Sequence, residues 1–374
     1  MTATATRREV IGYRVHAQQL DQPADSVRIT DPAILDLGVQ DSGSDAASWA
    51  LANRGARLAG VGSLQQSADV ALAWTLRGAP HYYRRSELAD VQVATSPYSD
   101  ADAGKRILDA NRPLKAAGIP PRQALTEIAG QMRDLVATPR VKGDVSGALA
   151  ERMSQPYLRF CRPCQAVHLY EMPFRLGALH AGLELEPGTS PPVLRRIPDW
   201  PDHVLGPAED PDFAPASLQP IRAYLRFLGP ATPAEVAAFL DAPVADIKQR
   251  WPQDATPVTV EGETLWTLAA QLAQPTDPVV RLLGPFDLLL QGRDRHRLVE
   301  DASRHKQLWP TLGRPGAVLS GTDIVGTWRP KAAGKRFSVR LEPWAQPSKA
   351  VRTAVEEQAE RLAAHRGLTF AGVG

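Results

Sequence analysis

Thr232-Pro233-Ala234-Glu235, followed by an apolar run to Leu240, a turn at Asp241-Ala242-Pro243 and a second segment over 244–251, decides how this chain reads. Threonine ahead of proline, with glutamate three residues on, is a capping box that opens a helix with proline at its first position. Val244, Ile247 and Trp251 then fall on one face of a following helix. Val258-Thr259-Val260, Glu261-Gly262-Glu263 and Thr264-Leu265-Trp266 read as two strands around a tight turn. With a helix over 221–228 in front, the order is helix, helix, helix, hairpin: a helix-turn-helix with a wing.

The same order recurs upstream. Residues 122–137 carry an amphipathic pattern (Leu125, Ile128, Met132, Leu135, Val136) that stops at Thr138-Pro139, and Asp144 is placed to cap a second helix running to Met153. A hairpin through Tyr157-Leu158-Arg159-Phe160 and Ala166-Val167-His168-Leu169-Tyr170 follows, then a helix over 174–182. Nearer the N-terminus, 9–20, 34–39, 49–58 and 70–74 have helical spacing, and Gly78 and Pro80 break the chain into a candidate wing over 75–83. The repeat lies in element order, not residue identity. Residues 100–105 read as a polar linker, and 187–220, rich in Pro and Asp, as a long surface connection. From residue 281 the pattern turns to strands at 288–290, 317–319, 324–328 and 337–341, with Ser320-Gly321-Thr322-Asp323 as a tight turn, and an amphipathic helix over 348–366. The expectation is an α+β chain of winged helices over 1–100, 101–195 and 196–275, with a small β-barrel and terminal helix over 276–374.

Composition narrows the function class. At 374 residues and 43% hydrophobic the chain suits several packed modules, and no apolar run approaches a membrane span. The N-terminus lacks the apolar core of a signal peptide, so a cytoplasmic protein is expected. A net charge of +2 hides a basic crowd in the last quarter, from Arg293 and Arg295 through Arg314 and Arg329 to Arg340, which is either an anion-binding surface or a solvated one.

Three stretches carry candidate chemistry. Leu37-Gly38-Val39-Gln40-Asp41-Ser42 sets an amide, a carboxylate and a hydroxyl side by side after a glycine, and reads as a helix end opening into a Gly43-Ser44 turn. Asp41 or Ser42 either caps the next helix or faces a substrate. Cys161-x-x-Cys164-x-x-x-His168 offers three zinc ligands on a hairpin, or two reduced structural thiols. Gln291-Gly292-Arg293-Asp294-Arg295-His296-Arg297 is either a basic hairpin that touches phosphates or a surface loop.

The chain resembles the tandem winged-helix DNA glycosylase superfamily that includes AlkZ and YcaQ. The residues that carry the likeness are Gln40 with Arg54 fourteen positions later, the Trp74 to His81 segment (Trp-Thr-Leu-Arg-Gly-x-x-His), Leu282-Leu283-Gly284-Pro285-Phe286-Asp287, Arg293-Asp294-Arg295 and Val325-Gly326-Thr327-Trp328-Arg329. The resemblance implies three winged helices and a β-barrel around a concave DNA channel, and excision of N-alkylated purines, with interstrand crosslinks among the lesions. The family motif is Gln, an aliphatic residue, then Gln or Asp; this chain keeps Gln40 and continues with Asp41 and Ser42.

Hydrolysis of an N-glycosidic bond needs negative potential beside C1′ and a positioned water, while alkylation already makes the base a good leaving group. Gln40 is therefore expected to orient the water, Asp41 to act as base or electrostatic stabiliser, and Ser42 to hold the water. Arg54, Arg77, His81, Gln291, Arg293, Arg295, His296, Arg297 and Arg329 are the expected DNA contacts, although Arg77 and His81 equally suit bracing of the wing. The partner is double-stranded DNA bearing alkylated purines, the protein a monomer, and no cofactor is required beyond the zinc that the cysteine spacing allows. A duplex-binding protein without catalysis is the competing reading, and a transcription regulator a weaker third.

Overall fold

The computed structural model describes residues 3–43, 45–201, 205–275 and 278–374. Ser44, half of the expected Gly43-Ser44 turn, and residues 202–204 of the expected long connection lie outside them.

The stretch that opened the reading folds as its pattern requires. Thr232 accepts from the Glu235 backbone N–H while the Glu235 carboxylate accepts from Thr232, and helix Pro233–Leu240 follows. Helices Pro220–Leu228 and Val244–Gln249 and the hairpin Thr256–Val260 with Glu263–Thr267 complete the unit. What the pattern did not reveal is its third strand. Ala3–Ala5 runs parallel to Thr256–Val260, and helix Arg7–Ala17 docks there as well, Tyr13 Oη donating to the Arg226 carbonyl and Gln18 to that of Phe227. The helix over 9–20 thus belongs with the third unit rather than the first.

In the middle of the chain, helices Pro121–Leu135, Lys142–Arg152 and Glu171–His180 flank the hairpin Leu158–Cys161 with Ala166–Leu169. Asp144 sits in the first turn of its helix rather than at the cap, which is Val141. The expected linker at 100–105 is helix Asp100–Arg106: Ser99 accepts from the Asp102 N–H, and buried Asp102 takes a forked pair of bonds from Arg106 one turn on. Polar composition concealed a helix closed by its own ion pair.

Val70–Trp74, expected as helix, is instead a buried strand that pairs with Pro80–Arg84 in a hairpin, with Arg77 at φ 57° in the turn of the expected wing. This hairpin does not stand alone. A six-stranded sheet runs in the order Val39–Gln40, Pro80–Arg84, Val70–Trp74, Leu183–Leu185, Val193–Arg196, Arg140–Val141. The boundary expected at residue 100 therefore lies between two stretches that share one sheet, and part of the expected connection, Val193–Arg196, is one of its strands.

The C-terminal part is an open five-stranded sheet, Val280–Leu283, Gly316–Ser320, Asp323–Ala333, Arg336–Pro343 and Thr369–Val373, not a closed barrel among the described residues. Helix Lys349–His365 covers it, burying Val355, Ala359 and Leu362 against Trp49, Trp328 and Phe337. Leu288-Leu289-Leu290 is a 3-10 turn instead of a strand, because Asp287 caps it by accepting from the Leu289 N–H.

Candidate DNA-processing site

A turn of 3-10 helix, Ala33–Asp36, brings the chain to Gly38, whose φ is +88°. A Cβ there would meet Tyr83 Cζ at 2.4 Å, so only glycine lets the backbone pass the ring. Val39–Gln40 then pairs with Tyr82 and His81 at the sheet edge, and the Asp41 N–H donates to the Pro80 carbonyl at 2.9 Å. Gln40 is thus on a strand rather than at a helix end. Its Nε2 donates to Ser42 Oγ at 2.8 Å, so the first and third motif positions meet directly.

Asp41 turns toward helix Ala46–Ala52, where the Ala47 backbone N–H donates to its carboxylate. Burial pushes the carboxyl up to about 6; the Ala47 bond opposes this and the charge of Asp45 adds to it. Asp45 itself is held by Arg366 at 2.6 Å. Beside them opens a cleft of about 490 Å³ lined by Ser42, Asp45, Trp49, Arg314, Trp328 and Arg329. Asp45 and Arg366 were missed in the sequence because one sits at an ordinary helix start and the other at the end of a helix over 300 residues away.

The expected DNA contacts divide by burial. Arg54 is wholly buried, forked onto Asp287 at 2.8 Å through both terminal nitrogens, and also donates to Gln18 and to the Ala50 carbonyl. It fastens rather than binds. Arg297 is likewise enclosed by Asp294, Glu235 and Glu263, and Asp294 is shared with buried Arg14. His81 is buried with its Nδ1 near Thr75 and the Ala79 carbonyl, and burial pushes its pKa down to about 3, so it is neutral and meets no phosphate. Arg77 donates to Gln291 Oε1 at 2.6 Å and to the Phe239 carbonyl, and Gln291 Nε2 donates to the Phe286 carbonyl, so both brace the turn. Desolvation first, then Arg293, hold the Arg77 guanidinium down to about 10.

The remaining expected contacts face outward. Arg293, His296 and Arg329 are exposed, and Arg295 lies half-buried over the Trp309 ring. Arg314 lies over Phe286. Burial, then Arg293, keep the Arg314 pKa below its usual range; at Arg295 Arg314 and Arg293 add to burial in the same direction. This is a cluster of like charges without carboxylates among them, the electrostatics of an anion site. The segment 291–297 is a 3-10 turn and a short helix, Arg295–Leu298, rather than a hairpin: its carboxylate and last arginine are spent inside, its other cations outside.

Cys161, Cys164 and His168 do converge, their ligand atoms all within 4.8 Å of one another. Among the described residues no helix is long and apolar enough to cross a membrane.

A family model described as DNA glycosylase AlkZ-like matches residues 34–365. The solved structure of Streptomyces sahachiroi DNA glycosylase AlkZ shares the fold, with a TM-score of 0.73 at 21% identity over 99% of each chain. No curated protein matches.

Proposed function

This chain belongs to the AlkZ-like DNA glycosylase family, and on that premise we propose that it hydrolyses the N-glycosidic bond of N-alkylated purines in duplex DNA, bulky adducts and interstrand crosslinks included. The observation that carries the reading is that Ser42, bonded to Gln40 and next in the chain to Asp41, lines a cleft whose other wall includes Arg314 and Arg329. The arginines hold the phosphates on either side of the lesion. The Gln40 amide and Ser42 hydroxyl, already bonded to each other, orient the attacking water. Asp41, raised to about 6, is largely ionised at neutral pH and still basic enough to accept a proton from that water. Its charge supplies negative potential for the oxocarbenium-like sugar, while Asp45 stays paired with Arg366. A cationic alkylpurine leaves without a strong acid, so neutral His81 is no obstacle. The open cleft suits a crosslinked base, which cannot be flipped out completely.

Duplex binding without catalysis is favoured by one observation, the Ala47 N–H that engages the Asp41 carboxylate as a helix-end ligand. Single-turnover release of 7-methylguanine from a methylated duplex separates the two. Release by the wild type, abolished in Gln40→Ala and Asp41→Asn with duplex affinity intact, supports the glycosylase. Salt-dependent binding with no release of 7-methylguanine or of a bulkier adduct leaves a binding protein.

A further inference from the structure

The hairpin Leu158–Cys161 with Ala166–Leu169 is an isolated two-stranded ribbon that pairs with no other strand among the described residues. Its base is anchored, since Leu158 and Leu169 are buried opposite each other in the core. Its tip is not. Phe160 and Val167, the next pair on that face, are 59% and 46% exposed. A two-stranded ribbon in water is marginal by itself, so this tip lacks the packing that would fix it.

The opposite face holds the chemistry. Arg159 pairs with His168 and Cys161 with Ala166, so Cys161 and His168 are diagonal neighbours on one face. The turn Arg162-Pro163-Cys164-Gln165, with Gln165 at φ 51° and its side chain donating to the Arg162 carbonyl, returns Cys164 over that same face. Three ligand atoms thereby fall within 4.8 Å of one another, the span of neighbouring ligands around one small ion. We propose that Cys161, Cys164 and His168 bind one Zn²⁺ ion that clamps the tip of this hairpin.

Two thiolates and one imidazole are a soft donor set that suits zinc rather than magnesium or calcium. Each thiol releases its proton to solvent on binding, so the two negative charges balance the ion. The nearby candidates for a fourth ligand are otherwise engaged: Glu171 is held by Lys142 at 2.7 Å and Arg175 at 2.6 Å, and His180 is buried against Gln92. Water completes the tetrahedron, as the exposure of Cys164 allows. The ion substitutes for a missing core and holds Phe160, Val167 and Arg159 in one fixed presentation.

The test uses the full chain, stripped with chelator under reducing conditions and dialysed against zinc, with metal content measured by elemental analysis. One zinc per chain is expected, absent from the Cys161→Ser/Cys164→Ser variant and held more than about tenfold more weakly by His168→Ala. Loading the wild type with Co²⁺ should give thiolate-to-metal charge transfer and the intense visible bands of a tetrahedral site, a readout that needs no variant to fold. Zinc retained by the double-serine variant would overturn the assignment. So would failure of the reduced wild type to take up either ion, whether its thiols then stay free or close into a Cys161–Cys164 disulfide.

Discussion

At the scale of single residues, charge and burial decide which side chains act and which fasten. Asp41 is the sharpest case. Its folded pKa of about 6 lies above the usual carboxylate value, so ionisation is penalised in the fold, and the stability it contributes is present at low pH and lost as pH rises through about 6. Asp41→Asn keeps an acceptor for the Ala47 N–H and cannot ionise. Its melting temperature should therefore gain on the wild type as pH climbs from about 4 to about 7. Activity should run the other way, single-turnover excision by the wild type falling below about pH 6 as the base takes up its proton; a flat profile would deny Asp41 that role. Arg54 shows the opposite outcome. An exposed pair such as Arg28 with Asp31 is screened by water and adds little to stability. Arg54 with Asp287 is fully enclosed, so Asp287→Ala, which strands the guanidinium, should cost about 3–5 kcal/mol in urea unfolding while leaving any residual duplex affinity of folded protein unchanged.

At the scale of elements, periodicity located the helices of the second and third units and the hairpin between 158 and 169, because each buries one face and exposes the other. Patterns that depend on distant partners were not legible. Val39–Gln40 is two residues long and is a strand only because Pro80–Arg84 lies beside it. Asp100–Arg106 hid behind its polar composition. Nor could spacing disclose that the fourteen-residue interval from Gln40 to Arg54 links a motif to a fastener: Arg54 grips Asp287, while Trp49 and Asn53 donate to the Leu282 carbonyl and Trp328 to that of Leu283. Two recognisable motifs are thus two sides of one joint. The long hairpin Asp323–Ala333 with Arg336–Pro343 carries exposed Lys331, Lys335 and Arg336 at its free end. Neutralising all three should lower the salt slope of duplex binding by about 0.9 per lost phosphate contact, read from affinities over a salt series. An unchanged slope would remove this hairpin from the DNA face.

At the scale of the whole molecule, buried imidazoles contribute to the acid limb of stability. His81 and His180 are both pushed down to about 3 by burial, whereas an unfolded chain protonates them near 6.5. Their contribution is full above about pH 6.5 and is lost as pH falls toward 3, the reverse of Asp41. Chemical unfolding should show stability declining below about pH 6, with a shallower decline in His81→Asn; an identical acid limb in that variant would show that the fold does not depress the His81 pKa. The strand Ala3–Ala5 carries a different kind of consequence, for biosynthesis. Its partner, Thr256–Val260, is about 250 residues away in the chain. At roughly 5–20 residues per second on the ribosome, this strand waits on the order of tens of seconds for its partner. During that interval its open edge is available to chaperones and to neighbouring nascent chains, so expression yield should be most sensitive to what is fused ahead of it.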